Sequence, residues 1–318
     1  MKIKHWITAA FLILILGVEA QPVKQYGQLS VKGNQLVSDK GEAVMLAGVS
    51  YGWHNWWPRF YNKSTVKWLA EDWHCDLVRA AMGVGPRGSY TDKPEWSTQL
   101  ISEVIEGALE NDLYVIIDWH SHELKTEEAR RFFSDMAAKY GQHPHIIYEI
   151  FNEPVKDSWS DVKAYSIEII KAIREKDPDN LILVGSPHWC QDLHLVADDP
   201  IVGYDNLMYT VHFYAATHKQ SLRDRCNYAL AKGIPLFVSE SAGMEASGNG
   251  PIDHQEWQTW IDWMKSHQIS WVTWSIADKN ETCSMLKPEA ASEGGWSEDQ
   301  MKESGVKTRA LLRAFRAE

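Results

Sequence analysis

The chain is dominated by a regular alternation of short apolar segments and amphipathic helical segments. Eight segments have the length and composition of buried strands: 43–49, 77–82, 113–118, 146–151, 181–184, 207–213, 236–239 and 271–276. Helical periodicity is clearest at 98–110, 127–140, 161–176, 221–232 and 253–267, with a last helix near 300–316. Eight such units in 318 residues predict an α/β fold, a (β/α)8 TIM barrel.

Two segments precede the predicted barrel. Residues 1–20 combine a basic start, an apolar stretch and a small-residue exit at Ala20, which predicts a secretory signal peptide. An uncleaved anchor is the alternative, although the apolar stretch is short for a membrane span. Residues 27–41 alternate polar and apolar positions around Gly33 and predict a short β-hairpin that covers the bottom of the barrel. We therefore expect one domain over residues 21–318 in a monomeric, secreted or periplasmic protein without a membrane contact after signal removal.

Polar and aromatic residues accumulate where the predicted strands end. The side chains at these ends are Trp53, His54, Trp56, Trp57, Arg79, His120, His122, Asn152, Glu153, His188, Trp189, His212, Tyr214, Glu240 and Trp274. Active sites of TIM barrels are built from the carboxyl ends of the strands and the loops that follow them. The sequence therefore predicts one cleft at that end of the barrel.

Two glutamates stand out among these residues because each follows an apolar strand directly. Glu153 lies in Asn-Glu-Pro after the fourth strand, and Glu240 ends the seventh. Two carboxylates that face one cleft are the equipment of a glycosidase, with one acid/base and one nucleophile.

The overall composition narrows the class of partner. A formal net charge of −11 argues against nucleic acid or an anionic membrane as the main partner, whereas a neutral polymer would not be repelled. The 16 tryptophans include candidates for packing on the faces of sugar rings, since an indole ring offers a flat apolar surface and one N–H donor.

Six motifs in order along the chain resemble glycoside hydrolase family 5, and most closely its bacterial-type endo-β-1,4-glucanases (cellulases). They are LVRAAM at 77–82, IIDWH at 116–120, IYEIFNEP at 147–154, HFY at 212–214, FVSE at 237–240 and SIADKNE at 275–281. The resemblance implies a retaining hydrolase of β-1,4-glucan in which Glu153 is the acid/base and Glu240 the nucleophile. It also implies supporting roles for Arg79, His120, Asn152, His212, Tyr214 and Trp274.

The family pattern assigns chemistry to these positions. Arg79 and Tyr214 would favour the ionised form of Glu240, and His212 would tune the proton donor Glu153. The same pattern implies no metal and no organic cofactor.

Substrate contacts are implied in the same way. Asn152 would hydrogen-bond the sugar 2-hydroxyl group. Trp274 would lie below the sugar at the cleavage point, with Trp56 and Trp189 below neighbouring sugars. Hydroxyl contacts on the non-reducing side are implied for two further side chains, Lys279 and Glu281.

Other interpretations stay open at this stage. The same machinery also serves β-mannan and xyloglucan. The His-x-His pair His120 and His122 is also compatible with a metal-dependent hydrolase. The aromatic cleft is also compatible with a sugar-binding protein that has no catalytic activity. Arg79 could instead serve only as the partner in a buried ion pair, and His120 and His212 could be structural histidines.

Two further expectations concern residues beside the motifs. Cys190 and Cys226 stand where the family pattern has other residues, in consecutive barrel units, which suggests a disulfide between them. Glu149 is expected to point along the strand interior or toward the helices, and it is left out of the catalytic set.

Overall fold

The computed structural model describes residues 21–317, so the predicted signal peptide at 1–20 lies outside the described residues. Its central feature is a closed barrel of eight parallel strands. These are β3 (Ala47–Tyr51), β4 (Leu77–Gly83), β5 (Tyr114–His120), β6 (Ile146–Glu149), β7 (Leu181–Val184), β8 (Leu207–Tyr214), β9 (Leu236–Ala242) and β10 (Trp271–Ile276). Each strand pairs with the next along the chain, and β10 returns to β3. This topology confirms the predicted TIM barrel.

One short helix precedes the strands, and the other helices follow them around the outside of the barrel. They are α1 (Pro22–Tyr26), α2 (Lys63–Glu71), α3 (Pro94–Glu110), α4 (Thr126–Tyr140), α5 (Trp159–Arg174), α6 (Pro187–Cys190), α7 (Leu193–Asp198), α8 (Gln220–Ala231), α9 (His254–His267) and α10 (Glu303–Arg316), with 3₁₀ turns at Pro58–Phe60 and Glu298–Gln300. The sequence did not predict α2. It begins where the Asn62 side chain accepts a hydrogen bond from the Thr65 N–H, and it buries Val66 and Leu69.

The predicted hairpin is present as β1 (Ser30–Lys32) and β2 (Gln35–Val37), which pair antiparallel. Their two-residue turn places Gly33 at φ +64°, a conformation that glycine adopts without strain. Leu36 packs in one apolar cluster with Leu77 at the amino-terminal end of its barrel strand. The hairpin therefore covers the bottom of the barrel, as predicted.

The first barrel strand begins later than the sequence indicates. Val44 donates its N–H to the Leu36 carbonyl and Ala43 bridges Val37, so these residues extend the hairpin rather than the barrel. Only Ala47–Tyr51 joins the parallel sheet. The apolar run at 43–49 is thus divided between two structures, a division that hydrophobicity does not reveal.

The barrel interior changes from apolar to polar along the strands. Ile116 and Ile147 belong to the apolar cluster at the bottom, and Asp118 and Glu149 occupy the next inward positions of the same strands. Because side chains alternate along a strand, Glu149 points into the barrel toward Arg79, at 2.6 Å, and the expected alternative of a direction toward the helices was wrong.

The expected disulfide is absent. Cys190 and Cys226 are both buried free thiols. The Cys190 thiol donates to the Asn152 carbonyl oxygen at 3.1 Å and accepts from the Thr210 hydroxyl at 3.0 Å, whereas Cys226 packs into the core from α8. Neighbouring positions in the barrel order therefore do not bring the two sulfur atoms together.

Candidate active site

The two predicted glutamates lie in one cleft at the carboxyl end of the barrel. Glu240 belongs to β9, and Glu153 follows β6 after four residues. One oxygen of each carboxylate and one ring nitrogen of His212 lie within 4.8 Å of one another. Retaining glycosidases have carboxyl groups about 5–5.5 Å apart, and inverting enzymes about 6.5–9.5 Å. The close approach fits the retaining geometry.

Both oxygens of Glu240 are held by donors. Arg79 Nη1 donates to Oε2 at 3.1 Å, and the Tyr214 hydroxyl donates to Oε1 at 2.7 Å. Burial raises the pKa of Glu240, and the charge of Glu153 adds to this, whereas His212, Arg79 and Tyr214 stabilise the carboxylate and limit the rise. The side chain is therefore fixed in place with its charged form supported by two hydrogen bonds.

Arg79 contacts several polar side chains of this network. It is fully buried, and its Nε donates to Glu149 Oε2 at 2.6 Å while its Nη2 lies 3.0 Å from Asp118 Oδ2. The same Nη2 donates to Asn152 Oδ1 at 2.7 Å. One guanidinium group thus contacts the carboxylates of Asp118, Glu149 and Glu240 and the amide of Asn152. The planar arrangement of its five N–H donors allows it to hydrogen-bond several acceptors at once.

We expect Arg79→Ala to lower the free energy of unfolding by about 3–5 kcal/mol, because Asp118, Glu149 and Glu240 would be left buried without their cation. Urea unfolding followed by circular dichroism measures this change. The control is Arg130→Ala, which removes a surface ion pair with Glu127 and should leave the midpoint unchanged. Equal midpoints for the two variants would contradict the role of Arg79 as the central counter-ion.

Glu153 contacts a histidine through each of its two oxygens. Oε1 lies 2.9 Å from His212 Nδ1, and Oε2 lies 3.1 Å from His122 Nε2. Burial raises the pKa of Glu153, but the hydrogen bonds and charges of the two histidines outweigh it and lower the pKa to about 2. In the free protein the carboxylate form of Glu153 is therefore favoured.

His212 connects Glu153 to the interior of the barrel. Its Nε2 lies 3.0 Å from the Ser239 hydroxyl, which in turn donates to Glu149 Oε1 at 2.6 Å. Burial lowers the pKa of His212, but the carboxylates of Glu149, 3.6 Å from Nε2, and of Glu153, 2.9 Å from Nδ1, help to raise it well above its usual value. A doubly protonated imidazole satisfies this arrangement, since one N–H donates to Ser239 and the other to Glu153.

The floor of the cleft is aromatic. The ring of His120 stacks on Trp274, with a centroid distance of 5.1 Å and an interplanar angle of 8°. His120 Nδ1 lies 2.6 Å from Asp118 Oδ2, and burial lowers the pKa of His120 well below its usual value. The imidazole is therefore neutral, with Nδ1–H on Asp118 and an accepting Nε2.

The cleft continues on both sides of the glutamate pair. A cavity of about 660 Å³ on one side is lined by Trp189, His188 and Thr217. A cavity of about 260 Å³ on the other side includes Trp56 and Trp274. Both cavities are lined by Glu153 and Glu240, so the pair lies in the middle of a continuous groove.

The predicted sugar-binding side chains line this groove. Trp56 and Trp189 are 50% and 40% exposed, which leaves their faces accessible. Lys279 and Glu281 lie on the Trp56 side and form an ion pair at 2.5 Å in the free protein. Ten of the twelve predicted site residues thus line the groove, and the other two, Arg79 and Asn152, are buried directly beneath it.

The sequence did not reveal three buried residues below this cleft, Asp118, Glu149 and Ser239, or the contact between His122 and Glu153. The signal for the first three was available, since each lies two residues after an inward apolar position of its strand, Ile116, Ile147 and Phe237. No sequence pattern pairs His122 with Glu153, because these residues come from separate loops.

The glutamate and histidine atoms of this cleft are also candidate ligands of a metal ion. Within residues 21–317, Glu153, His212 and Glu240 form the group of acidic and histidine donors spaced closely enough to surround a cation. Arg79, Tyr214 and His122 already occupy oxygens of the two glutamates, His212 itself contacts Glu153, and Arg79 adds a positive charge beside them. The cluster therefore fits a hydrogen-bonded acid pair better than a metal ligand set.

Comparisons with known proteins agree with this geometry. Residues 37–280 match the family model of cellulase, glycosyl hydrolase family 5. An endoglucanase of Clostridium saccharobutylicum is 41% identical over 295 residues, which are 91% of this chain and 65% of that protein, so the chain spans about two thirds of this relative. A solved structure from Cytophaga hutchinsonii is 44% identical with a TM-score of 0.92, covering 93% of this chain and 98% of the other.

A second solved structure adds a ligand. The catalytic domain of Thermobifida fusca endoglucanase Cel5A, solved as a variant in complex with cellotetraose, is 31% identical with a TM-score of 0.87. The match covers 92% of this chain and 99% of that domain. The barrel, the paired glutamates and the matched residues lead to one conclusion: the chain belongs to glycosyl hydrolase family 5.

Proposed function

We propose that the protein is a retaining endo-β-1,4-glucanase that hydrolyses internal bonds of cellulose or soluble β-glucans. The observation that carries this proposal is the position of the glutamate pair in the middle of a groove with a cavity on each side. A polymer can lie across such a groove with sugars on both sides of the bond that is cut. Endo-acting hydrolysis requires this arrangement.

Hydrolysis would proceed by double displacement. The Glu240 carboxylate attacks the anomeric carbon, while Glu153 transfers a proton to the departing glycosidic oxygen. Glu153 then removes a proton from water, which attacks the glycosyl ester of Glu240 and releases the sugar with retained configuration. The hydrogen bonds of Arg79 and Tyr214 fix Glu240 for the attack and stabilise it again as a leaving carboxylate.

Asn152 would act on the sugar at the cleavage point. Its Oδ1 accepts from Arg79, which fixes the orientation of the amide, and its Nδ2 has no hydrogen-bond partner within residues 21–317. A free amide N–H beside Glu153 suits a hydrogen bond to the sugar 2-hydroxyl, a contact that strengthens in the transition state.

The sugar contacts divide along the groove. Trp274 and the neutral His120 would form the floor at the cleavage point. Trp56 would support a neighbouring sugar on the side of Lys279, and Trp189 one on the opposite side. Glu281 would complete the hydroxyl contacts together with Lys279.

Several properties of the whole protein belong to the same proposal. We propose a signal peptide at 1–20, one catalytic domain at 21–318, a monomeric state and a secreted or periplasmic location. No helix within residues 21–317 is long and apolar enough to cross a membrane. The chemistry assigned to the two glutamates requires neither a metal ion nor an organic cofactor.

The substrate is tested by reducing-sugar and viscosity assays of residues 21–318 on carboxymethylcellulose, mixed-linkage β-glucan, mannan and xyloglucan, with a chelator present. A rapid fall in viscosity on the glucans is expected. Preference for mannan or xyloglucan would replace the substrate and keep the mechanism. Inactivity on every polymer would contradict the assignment of hydrolytic activity and favour a sugar-binding protein. Activity that a chelator abolishes would favour a metal-dependent hydrolase.

A further inference from the structure

His122 lies between the acid candidate Glu153 and the open groove. It follows the end of β5 by two residues, and its Nε2 lies 3.1 Å from Glu153 Oε2. The His122 side chain is 43% exposed, whereas that of His212, at the other oxygen of Glu153, is 2% exposed. Glu153 is thus held between one buried and one accessible histidine.

This asymmetry determines which oxygen delivers the proton. A proton on Oε1 would reach the substrate only after His212 released it, and His212 is fixed from behind by Ser239 at 3.0 Å. Oε2 faces His122, whose side chain is partly exposed and lines the cavities on both sides of the glutamate pair. The glycosidic oxygen therefore meets Oε2, the atom that His122 occupies in the free protein.

We propose that His122 stores the catalytic proton in the free protein and passes it to Glu153 Oε2 when a glucan chain fills the groove. The proposal rests on the proposed function, since it concerns the acid step of that reaction. In the transfer the His122 Nε2–H bond breaks and the Glu153 Oε2–H bond forms. The imidazolium and carboxylate become a neutral imidazole and a carboxylic acid, so the net charge of the pair does not change.

The surroundings of His122 support this exchange. The hydrogen bond to Glu153 raises the pKa of His122 against the effects of burial and of the His212 charge. The rings of Trp53 and His120 lie 5.7 and 6.3 Å away, and the more distant Glu240 also favours the imidazolium. The ion pair is therefore the favoured state while the groove holds water.

A bound sugar chain would reverse this preference. Sugars that displace water lower the local polarity, which disfavours two separated charges relative to the neutral pair. Neutral Glu153 also removes one of the charges that raise the pKa of Glu240. A single proton transfer thus prepares both glutamates, the acid with its proton and the nucleophile with its charge.

The test is the pH dependence of kcat/KM for His122→Gln on cellopentaose. Glutamine retains an N–H donor for Oε2 but holds no titratable proton. In the wild type the last proton of the His122–Glu153 pair is lost from His122. The alkaline limb of the pH profile of kcat/KM should therefore lie above about pH 6.5, the ordinary pKa of histidine. In His122→Gln the proton must remain on Glu153 itself, and the alkaline limb should move at least about one pH unit lower.

Two controls separate this effect from a structural one. His254→Gln removes a surface contact to Glu303 at 2.8 Å and should leave the limb unchanged. A 2,4-dinitrophenyl β-cellobioside needs no proton on its leaving group, so wild type and His122→Gln should share one alkaline limb on it. Thermal unfolding confirms that both variants fold.

An alkaline limb of His122→Gln on cellopentaose that coincides with that of the wild type would overturn the proposal. Failure of the wild type to hydrolyse cellopentaose would instead contradict the proposed function. The two failures are therefore distinguishable in one set of experiments.

Discussion

Glu240→Gln is expected to lower kcat/KM on cellooligosaccharides by roughly 10⁴- to 10⁶-fold, the range seen when single members of a catalytic triad are removed. Glutamine has nearly the same shape, so Arg79 and Tyr214 keep a partner at this position. Its amide does not form the glycosyl ester through which the reaction passes. The loss should therefore come from the chemical step and not from misfolding.

The measurement is reducing-sugar release from cellopentaose, with thermal unfolding as the check on folding. Glu42→Gln is the matched control, because Glu42 is exposed beside the hairpin at the opposite end of the barrel and should retain full activity. A Glu240→Gln variant that kept more than about one part in a hundred of the wild-type kcat/KM would contradict the nucleophile assignment.

Glu153→Ala is expected to separate substrates by their leaving groups. General acid catalysis contributes about 10²- to 10⁴-fold, so kcat/KM on cellopentaose should fall by about that factor. The kcat/KM on 2,4-dinitrophenyl β-cellobioside should change far less, because dinitrophenolate leaves without a proton.

Parallel steady-state assays on the two substrates measure this difference. Glu123→Gln is a suitable control, since Glu123 is an exposed carboxylate on the loop that carries His122. An equal loss on both substrates for Glu153→Ala would show that Glu153 acts through positioning and not as the proton donor.

The eight strands and the two glutamates were predictable because both follow from local patterns. An apolar run such as that before Glu153 has few uses other than a buried strand, and a carboxylate at its end is placed at the mouth of a barrel. The start of β3 does not follow from its local pattern. Residues 43–46 are as apolar as a barrel strand, yet Val44 pairs with the hairpin.

Residues below the cleft were harder to predict for a different reason. Glu149 is a buried carboxylate that is stable only because Arg79 and Ser239 lie within 2.6 Å of it, and both come from distant strands. Strand alternation places Glu149 inside the barrel, but no local pattern states which side chains meet it there.

The disulfide and the histidine contact depend on the same missing information. Cys190 and Cys226 lie in neighbouring units, and only the direction of each side chain decides whether they meet. The His122 contact with Glu153 likewise joins two loops whose relative position is set by the barrel. Sequence spacing predicts neither the distance between Cys190 and Cys226 nor that between His122 and Glu153.

Proton NMR of cellopentaose hydrolysis tests most directly whether Glu153 and Glu240 act as a retaining pair. Product anomers are followed from the first minutes, before mutarotation mixes them. Retention predicts that the β-anomer of the new reducing end appears first and then decays to the equilibrium mixture. Initial appearance of the α-anomer would show inversion and contradict the double-displacement mechanism that the close spacing of the two carboxylates implies.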